Sequence, residues 1–232
     1  MLLSPRTLPR FAVLLVLARF AIPGAQSGAT LYDRPLTMRE SVDKCRYIVA
    51  GTVTRSVVVR DTVGSSVMHF TLRDLAFAKG TTEGDSLVVT MPGFRGVGVI
   101  GEAAGQSHFE MGGRYICFLA DGGTRGLYAG TSYLPLGDDG VYRVFLDRAT
   151  LQSIVVDASG HFVTGVDSVG IFKSKFRLSG GYKRSLALRD SMISDGAAQT
   201  RAAHEAPLSE VDLLTALHQV FVAFDAGAPK AR

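Results

Sequence analysis

Residues 46–55 read RYIVAGTVTR, and the reading of this stretch decides the fold. Tyr47, Ile48, Val49, Thr52 and Val53 are β-branched or aromatic, side chains that suit a pleated surface. Tyr47, Val49, Gly51 and Val53 fall on one face. Ile48, Ala50, Thr52 and Thr54 fall on the other. Both faces are mostly apolar or small, so a central strand is expected rather than one solvated on one side. Gly51, at its middle, marks a bend or a close backbone approach, as at a barrel corner.

Working outward, residues 67–78 (VMHFTLRDLAFA) form the next strand. Met68, Phe70 and Leu72 share a face, and Leu75 and Phe77 continue the large apolar residues in the opposite phase. That slip predicts a β-bulge near Arg73 and Asp74. Further strands are expected at 85–91, 114–120 and 126–136, the last with Leu127, Ala129, Thr131 and Tyr133 on one side. A glycine-rich connection, 92–113, separates the third strand from the fourth. A hairpin follows (141–147 with 152–157), and 161–166 adds a strand to it. Short strands without alternating helices mean an antiparallel sheet or barrel rather than βαβ units. In such a barrel the first strand pairs with the fourth.

Helices are expected at the margins: a turn over 37–43, a helix near 185–193, and a terminal helix over 207–224. The last has Ser209 as N-cap and Glu210 and Asp212 in its first turn. Val211, Leu214, Leu217, Val220, Phe221 and Phe224 give it an apolar stripe at helical spacing. The chain is thus mainly β, a small antiparallel OB-like β-barrel with an appended β-hairpin and a C-terminal α-helix. By residue, it divides into a signal peptide (1–27), a lead-in (28–44), the barrel (45–136), the hairpin extension (137–170), a polar linker (171–206) and the helix (207–226).

The signal peptide is read from Arg6 and Arg10, the apolar run 11–18 extended by 20–22, the break at Pro23 and Gly24, and the small-x-small site Ala25-Gln26-Ser27. The run is shorter than the roughly 20 apolar residues of a membrane span. The chain is therefore expected to be exported, periplasmic or secreted, with no stable membrane span after cleavage. The formal charge of +4 owes three charges to Arg6, Arg10 and Arg19, so the mature chain carries about +1. A near-neutral chain has no electrostatic footprint for nucleic acid.

Five segments together resemble a recurring pattern of exported bacterial proteins: YIVAGTV (47–53), HFTLRDLAFAKG (69–80), LVVTMPGF (87–94), GGRYICFL (112–119) and GVYRV (140–144). The pattern looks like the oligonucleotide-binding-type barrel shared with netrin-like and tissue-metalloproteinase-inhibitor-like domains, over residues 45–144. The chain departs from it at Lys44-Cys45-Arg46, usually an Ala-Asp pair before the first strand, and at Gly112-Gly113-Arg114, commonly Gly-Glu-Arg. The resemblance implies a fold. Inhibitors of that type reach a protease's zinc with a cysteine at the mature N-terminus, whereas Cys45 lies well inside this chain, so that activity is not carried over.

Catalytic constellations are not apparent in the sequence. Gly96-Val97-Gly98-Val99-Ile100-Gly101 matches G-x-G-x-x-G but lacks the following helix that a dinucleotide site needs. His69, His108, His161, His204 and His218 lack zinc-site spacing and read as solvated surface residues. There is no G-x-S-x-G elbow. Asp138-Asp139-Gly140 and 157–160 read as turns rather than calcium loops. Phe94, Tyr115, Tyr128, Tyr133 and Tyr142 suit packing better than base stacking. No catalytic, cofactor or metal site is assigned.

Cys45 and Cys117, the only cysteines, are expected to form a disulfide, since an exported chain meets an oxidising compartment and the barrel makes their strands neighbours. The alternative is two buried free thiols. The resulting reading is an exported non-catalytic binding or structural module with a protein or cell-envelope partner. Other readings are an inhibitor or accessory domain acting on an extracellular hydrolase through 92–113, and an enzyme with an unrecognised site.

Overall fold

The computed structural model describes residues 36–60, 66–92, 109–179 and 186–227. It opens with helix α1 (Met38–Lys44), held by a capping box. The Thr37 hydroxyl accepts from the Glu40 N–H, and the Glu40 carboxylate accepts from the Thr37 N–H. Strand β1 (Tyr47–Arg60) follows, pairing antiparallel with β2 (Ser66–Lys79) on one side and with β4 (Arg114–Asp121) on the other. β2 leads to β3 (Leu87–Pro92), and β5 (Ser132–Tyr133) sits between β3 and β4. Strands β1, β2, β3, β5 and β4 therefore make a partial ring, joined through the two residues of β5, with the expected pairing of first and fourth strands.

The expectation of a purely antiparallel barrel is corrected: β5 runs parallel to β3. The cause is parity. A ring of five strands cannot reverse direction at every step and still close, so one neighbouring pair must run parallel. Beyond β4 the sheet continues antiparallel through β6 (Val141–Asp147), β7 (Gln152–Asp157), β8 (His161–Val166) and β9 (Ile171–Arg177). The ring is thus one end of a nine-stranded mixed sheet.

β5 is far shorter than the strand expected over 126–136. Gly126 and Gly130 take φ of 74° and 66°, left-handed values that glycine adopts without strain. The chain winds through a 3₁₀ turn (Gly126–Tyr128) instead, closed by Ala129 N–H to Gly126 O at 3.1 Å, with Gly130 N–H to Gly123 O at 3.1 Å tying the wider loop.

The bulge lies where the apolar phase slips. Ala50 faces Ala76 and Thr52 faces Arg73, so Asp74 and Leu75 together oppose Gly51. Asp74 has φ 54°. The extra residue brings Leu75 and Phe77 back onto the core that Phe70 and Leu72 fill. Gly51 allows the close approach opposite: a Cβ there would stand 3.0 Å from Leu72 Cβ.

Three cores result. Tyr47, Val49, Val53, Phe70, Leu72, Val89, Tyr115, Cys117 and Leu119 fill the ring. Ile48, Ala50, Ile116, Phe118, Tyr142, Val155 and Val163 make the outer face, covered by α1 and by α3 (Glu210–Gly227). Phe145, Ile154, Val156 and Phe162 pack on the opposite face of the extension against Ile193 and Ala197 of α2 (Leu186–Ala202). The stretch 171–206, expected as a polar linker, thus carries β9 and α2.

Helix α3 starts as expected, with Ser209 Oγ accepting from Asp212 N–H. Its buried face is Leu213, Leu214, Leu217 and Val220, with Phe221 and Phe224 partly buried. Val211, expected in the stripe, is 69% exposed. It belongs to the first turn, on the side away from the sheet. Leu217 is fully buried between helix and sheet. Leu217→Asp is expected to cost several kcal/mol and lower Tm by about 10 °C; a thermal melt superimposing on the wild type would mean that α3 does not pack there.

Candidate functional site

β4 covers β1 only from Tyr47 to Thr52. The residues before β4 extend the ladder one step: Val53 N–H donates to Gly113 O at 2.9 Å and Gly112 N–H to Val53 O at 2.8 Å. The chain then turns away at Gly112. From Thr54 to Arg60, β1 has β2 on one side and, among the described residues, no strand on the other. This open edge spans about 23 Å at the usual rise per residue. Thr54, Arg55, Ser56, Val57 and Arg60 are exposed, and Val58 and Val59 half-buried.

Two forked ion pairs fix where the edge begins. Arg114 grips Glu210 of α3 through Nε and Nη2, both at 2.6 Å. Its Nη1 donates to Thr52 Oγ1 at 3.2 Å and to the Asp74 carbonyl, on the bulge, at 3.0 Å. One guanidinium thereby joins β1, β2, β4 and α3. Arg143 of β6 grips Glu110 at 2.7 and 2.5 Å, and Glu110 N–H donates to Tyr115 Oη at 2.8 Å. Phe109 packs on Tyr115, ring centres 4.7 Å apart. Such bidentate pairs specify geometry as well as contributing energy. By contrast, Arg55 and Arg60 make no ion pair among the described residues.

The disulfide expectation is overturned: Cys45 and Cys117 are free and buried. The strands pair as expected, but the register decides otherwise. Cys117 lies opposite Val49, four residues on from Cys45, or about 13 Å along the strand. A bridge needs Cα atoms within about 7 Å. The two thiols also belong to separate cores, Cys45 outside the ring and Cys117 inside it. Burial pushes the Cys45 thiol up to about 12, against the opposing influence of the Lys79 ammonium, and raises Cys117 as well. Neither thiol is placed to act as a nucleophile.

Three of the histidines use a ring nitrogen locally. His69 Nε2 lies 3.2 Å from Leu127 O, His161 Nδ1 3.1 Å from Ser174 O, and His218 Nδ1 2.9 Å from Ala78 O. His69 and His161 are half-buried, which corrects their reading as solvated surface residues; His204 is exposed. Among the described residues no group of three or more His, Cys, Asp or Glu could hold a metal ion, and no helix is long and apolar enough to cross a membrane. Tyr115 and Tyr142 are core residues, while Tyr128 and Tyr133 form an edge-to-face pair. His108, Phe94, the motif Gly96–Gly101 and the leader 1–27 lie outside the described residues, as does most of the 92–113 loop.

Two further buried carboxylates join elements. Asp157 accepts from His161 N–H at 2.8 Å and pairs with Lys173 at 2.8 Å. Asp147, fully buried, takes hydrogen bonds from Arg201 of α2 at 2.7 Å, Thr150 at 2.8 Å and the Ala149 N–H at 3.1 Å. Burial alone would raise its pKa, but these donors outweigh burial and hold it down to about 2. No signal in the sequence pointed to any of these pairs. No protein-family model matches the chain, and no curated protein matches it.

Two outcomes are expected. A thiol reagent should leave the native protein unlabelled and titrate two thiols per chain after denaturation without reductant; fewer than two would restore the disulfide. The stability contributed by Asp147 should be complete above about pH 4 and lost as the pH falls through about 2, because its folded-state pKa lies below the ordinary value of 3.8. Asp147→Asn should cost about 2 kcal/mol at neutral pH, with the gap to wild type closing near pH 2 in urea titrations.

Proposed function

We propose that the chain is an exported, non-catalytic binding or structural module built on an OB-like ring, acting through contact with a protein or cell-envelope partner. The observation that carries this reading is how the buried and partly buried carboxylates of the described residues, and their basic partners, are used. Arg114 with Glu210, Arg143 with Glu110, Asp147 with Arg201 and Asp157 with Lys173 each tie one element to another. Paired and hydrogen-bonded in this way, they stiffen the scaffold. The buried thiols, with raised pKa values, serve packing. Such a scaffold presents surface rather than chemistry, and its open surface includes a strand edge. The resemblance to netrin-like and tissue-metalloproteinase-inhibitor-like barrels supports the same class of role, and the leader supports the compartment.

Two measurements test it. N-terminal sequencing of exported material should begin near Gly28; material still starting at Met1 removes the compartment. The mature chain, immobilised and incubated with the exported fraction of its own cells, should retain a partner saturably, and retention of nothing above a blank support removes the binding role.

A further inference from the structure

We propose that the open edge of β1, Thr54–Arg60, is a docking site for an extended, acidic peptide segment of a partner protein, which adds as a strand collinear with β4. The inference rests on the reading of the chain as a binding module and names the surface and the chemistry of its partner.

The backbone makes the first half of the argument. An edge strand presents alternate N–H and C=O groups that a second chain can take up. β1 is kept in strand geometry over the whole of Thr54–Arg60 by its ladder to β2, from Arg55 opposite Thr71 to Arg60 opposite Ser66. Among the described residues its outer side has no strand partner, because the Gly112–Gly113 ladder stops at Val53. An incoming strand therefore occupies the lane that β4 vacates and continues the sheet. The other edge strand among the described residues, β9, is engaged differently. The Lys175 N–H is taken by Glu205, Arg177 by the Ser159 carbonyl and Lys173 by Asp157.

The side chains make the second half. Phe70 faces the ring core, so Ser56, Val58 and Arg60 lie on the ring side of the edge and Arg55, Val57 and Val59 on the other. The three valines suit cross-strand packing. Each face carries one exposed arginine without an ion-pair partner among the described residues, and neither 54–60 nor the facing 66–72 contains an acid. Asp61, the nearest acid in sequence, lies outside the described residues. A second copy of the same edge would bring four arginines together with no acid between them, and like charges opposed across strands repel. An acidic strand meets the opposite condition on both faces. Charge complementarity of this kind selects partners and speeds encounter.

The test uses the full mature chain as bait for a displayed library of random linear peptides. Enriched peptides are expected to alternate β-branched or aromatic residues with Asp and Glu. The best of them, made synthetically and labelled, should bind saturably, and N-methylation of alternate amides should abolish binding. Arg55→Glu/Arg60→Glu should bind it about tenfold more weakly or worse, with Arg55→Gln/Arg60→Gln as the milder pair if the reversed one misfolds by circular dichroism. Failure to enrich acidic peptides, or equal affinity for the arginine variants, overturns the inference. So does a concentration-dependent dimer in sedimentation that the same variants abolish, because the edge then belongs to a second copy. The wider reading is judged separately. A partner from the exported fraction retained equally by the charge-reversed chain leaves the binding role standing and removes this edge from it.

Discussion

The ladder between Tyr47–Thr52 and Arg114–Leu119 is the constraint on which the rest of the molecule depends. It closes the ring, and it also sends the sheet outward toward β6. The two strands it joins separate two cores, so each residue along it serves one or the other. Ile48 and Phe118 support the helices, while Val49 and Cys117 fill the ring. Arg114 stands at the end of this ladder and secures it to the bulge and to α3. Where the ladder ends, the sheet's only long run of exposed β-branched edge begins among the described residues.

Much of the ring was legible because β1 up to Val53 and β4 are buried on both faces and written largely in Val, Ile, Phe and Tyr. The bulge could be read from one slip in apolar phase between Leu72 and Leu75, since a strand must keep its large residues on the core side. The register could not be read in this way. Composition placed Cys45 and Cys117 on neighbouring strands, but a shift of four residues and a change of face are matters of alignment, which depend on every contact along the ladder at once. β5 failed for a local reason. The alternation of Leu127, Ala129, Thr131 and Tyr133 is a strand pattern, yet Gly126 and Gly130 permit left-handed turns that override it.

The extension was harder to read still. β9 alternates Lys173, Lys175 and Arg177 with smaller or apolar residues, and its buried face is modest. α2 buries Ile193, Ala197 and Thr200, a face mostly of small residues with little apolar stripe to detect. The forked pairs were invisible because their members lie far apart in sequence: Arg114 and Glu210 are joined only by the folded sheet. The open edge follows the same logic. The first strand was read only as far as Arg55, whereas β1 runs on to Arg60, and the length of β4 shows that, among the described residues, half of β1 lacks a second neighbour.

The shared position of β1 has a consequence in time as well as in space. A chain made from its N-terminus produces β1 early, with apolar residues on both faces, and cannot cover it until β4 emerges about seventy residues later. At ~5–20 residues per second that interval is about 4–14 s. During it the pairing surface of RYIVAGTVTR has only the β2 hairpin for company, and loop closure over such a distance is slow. Nascent chains ending before Arg114 therefore present the strongest strand in the molecule without its main partner, and holding that strand apart from other chains falls to whatever receives the chain as it is made.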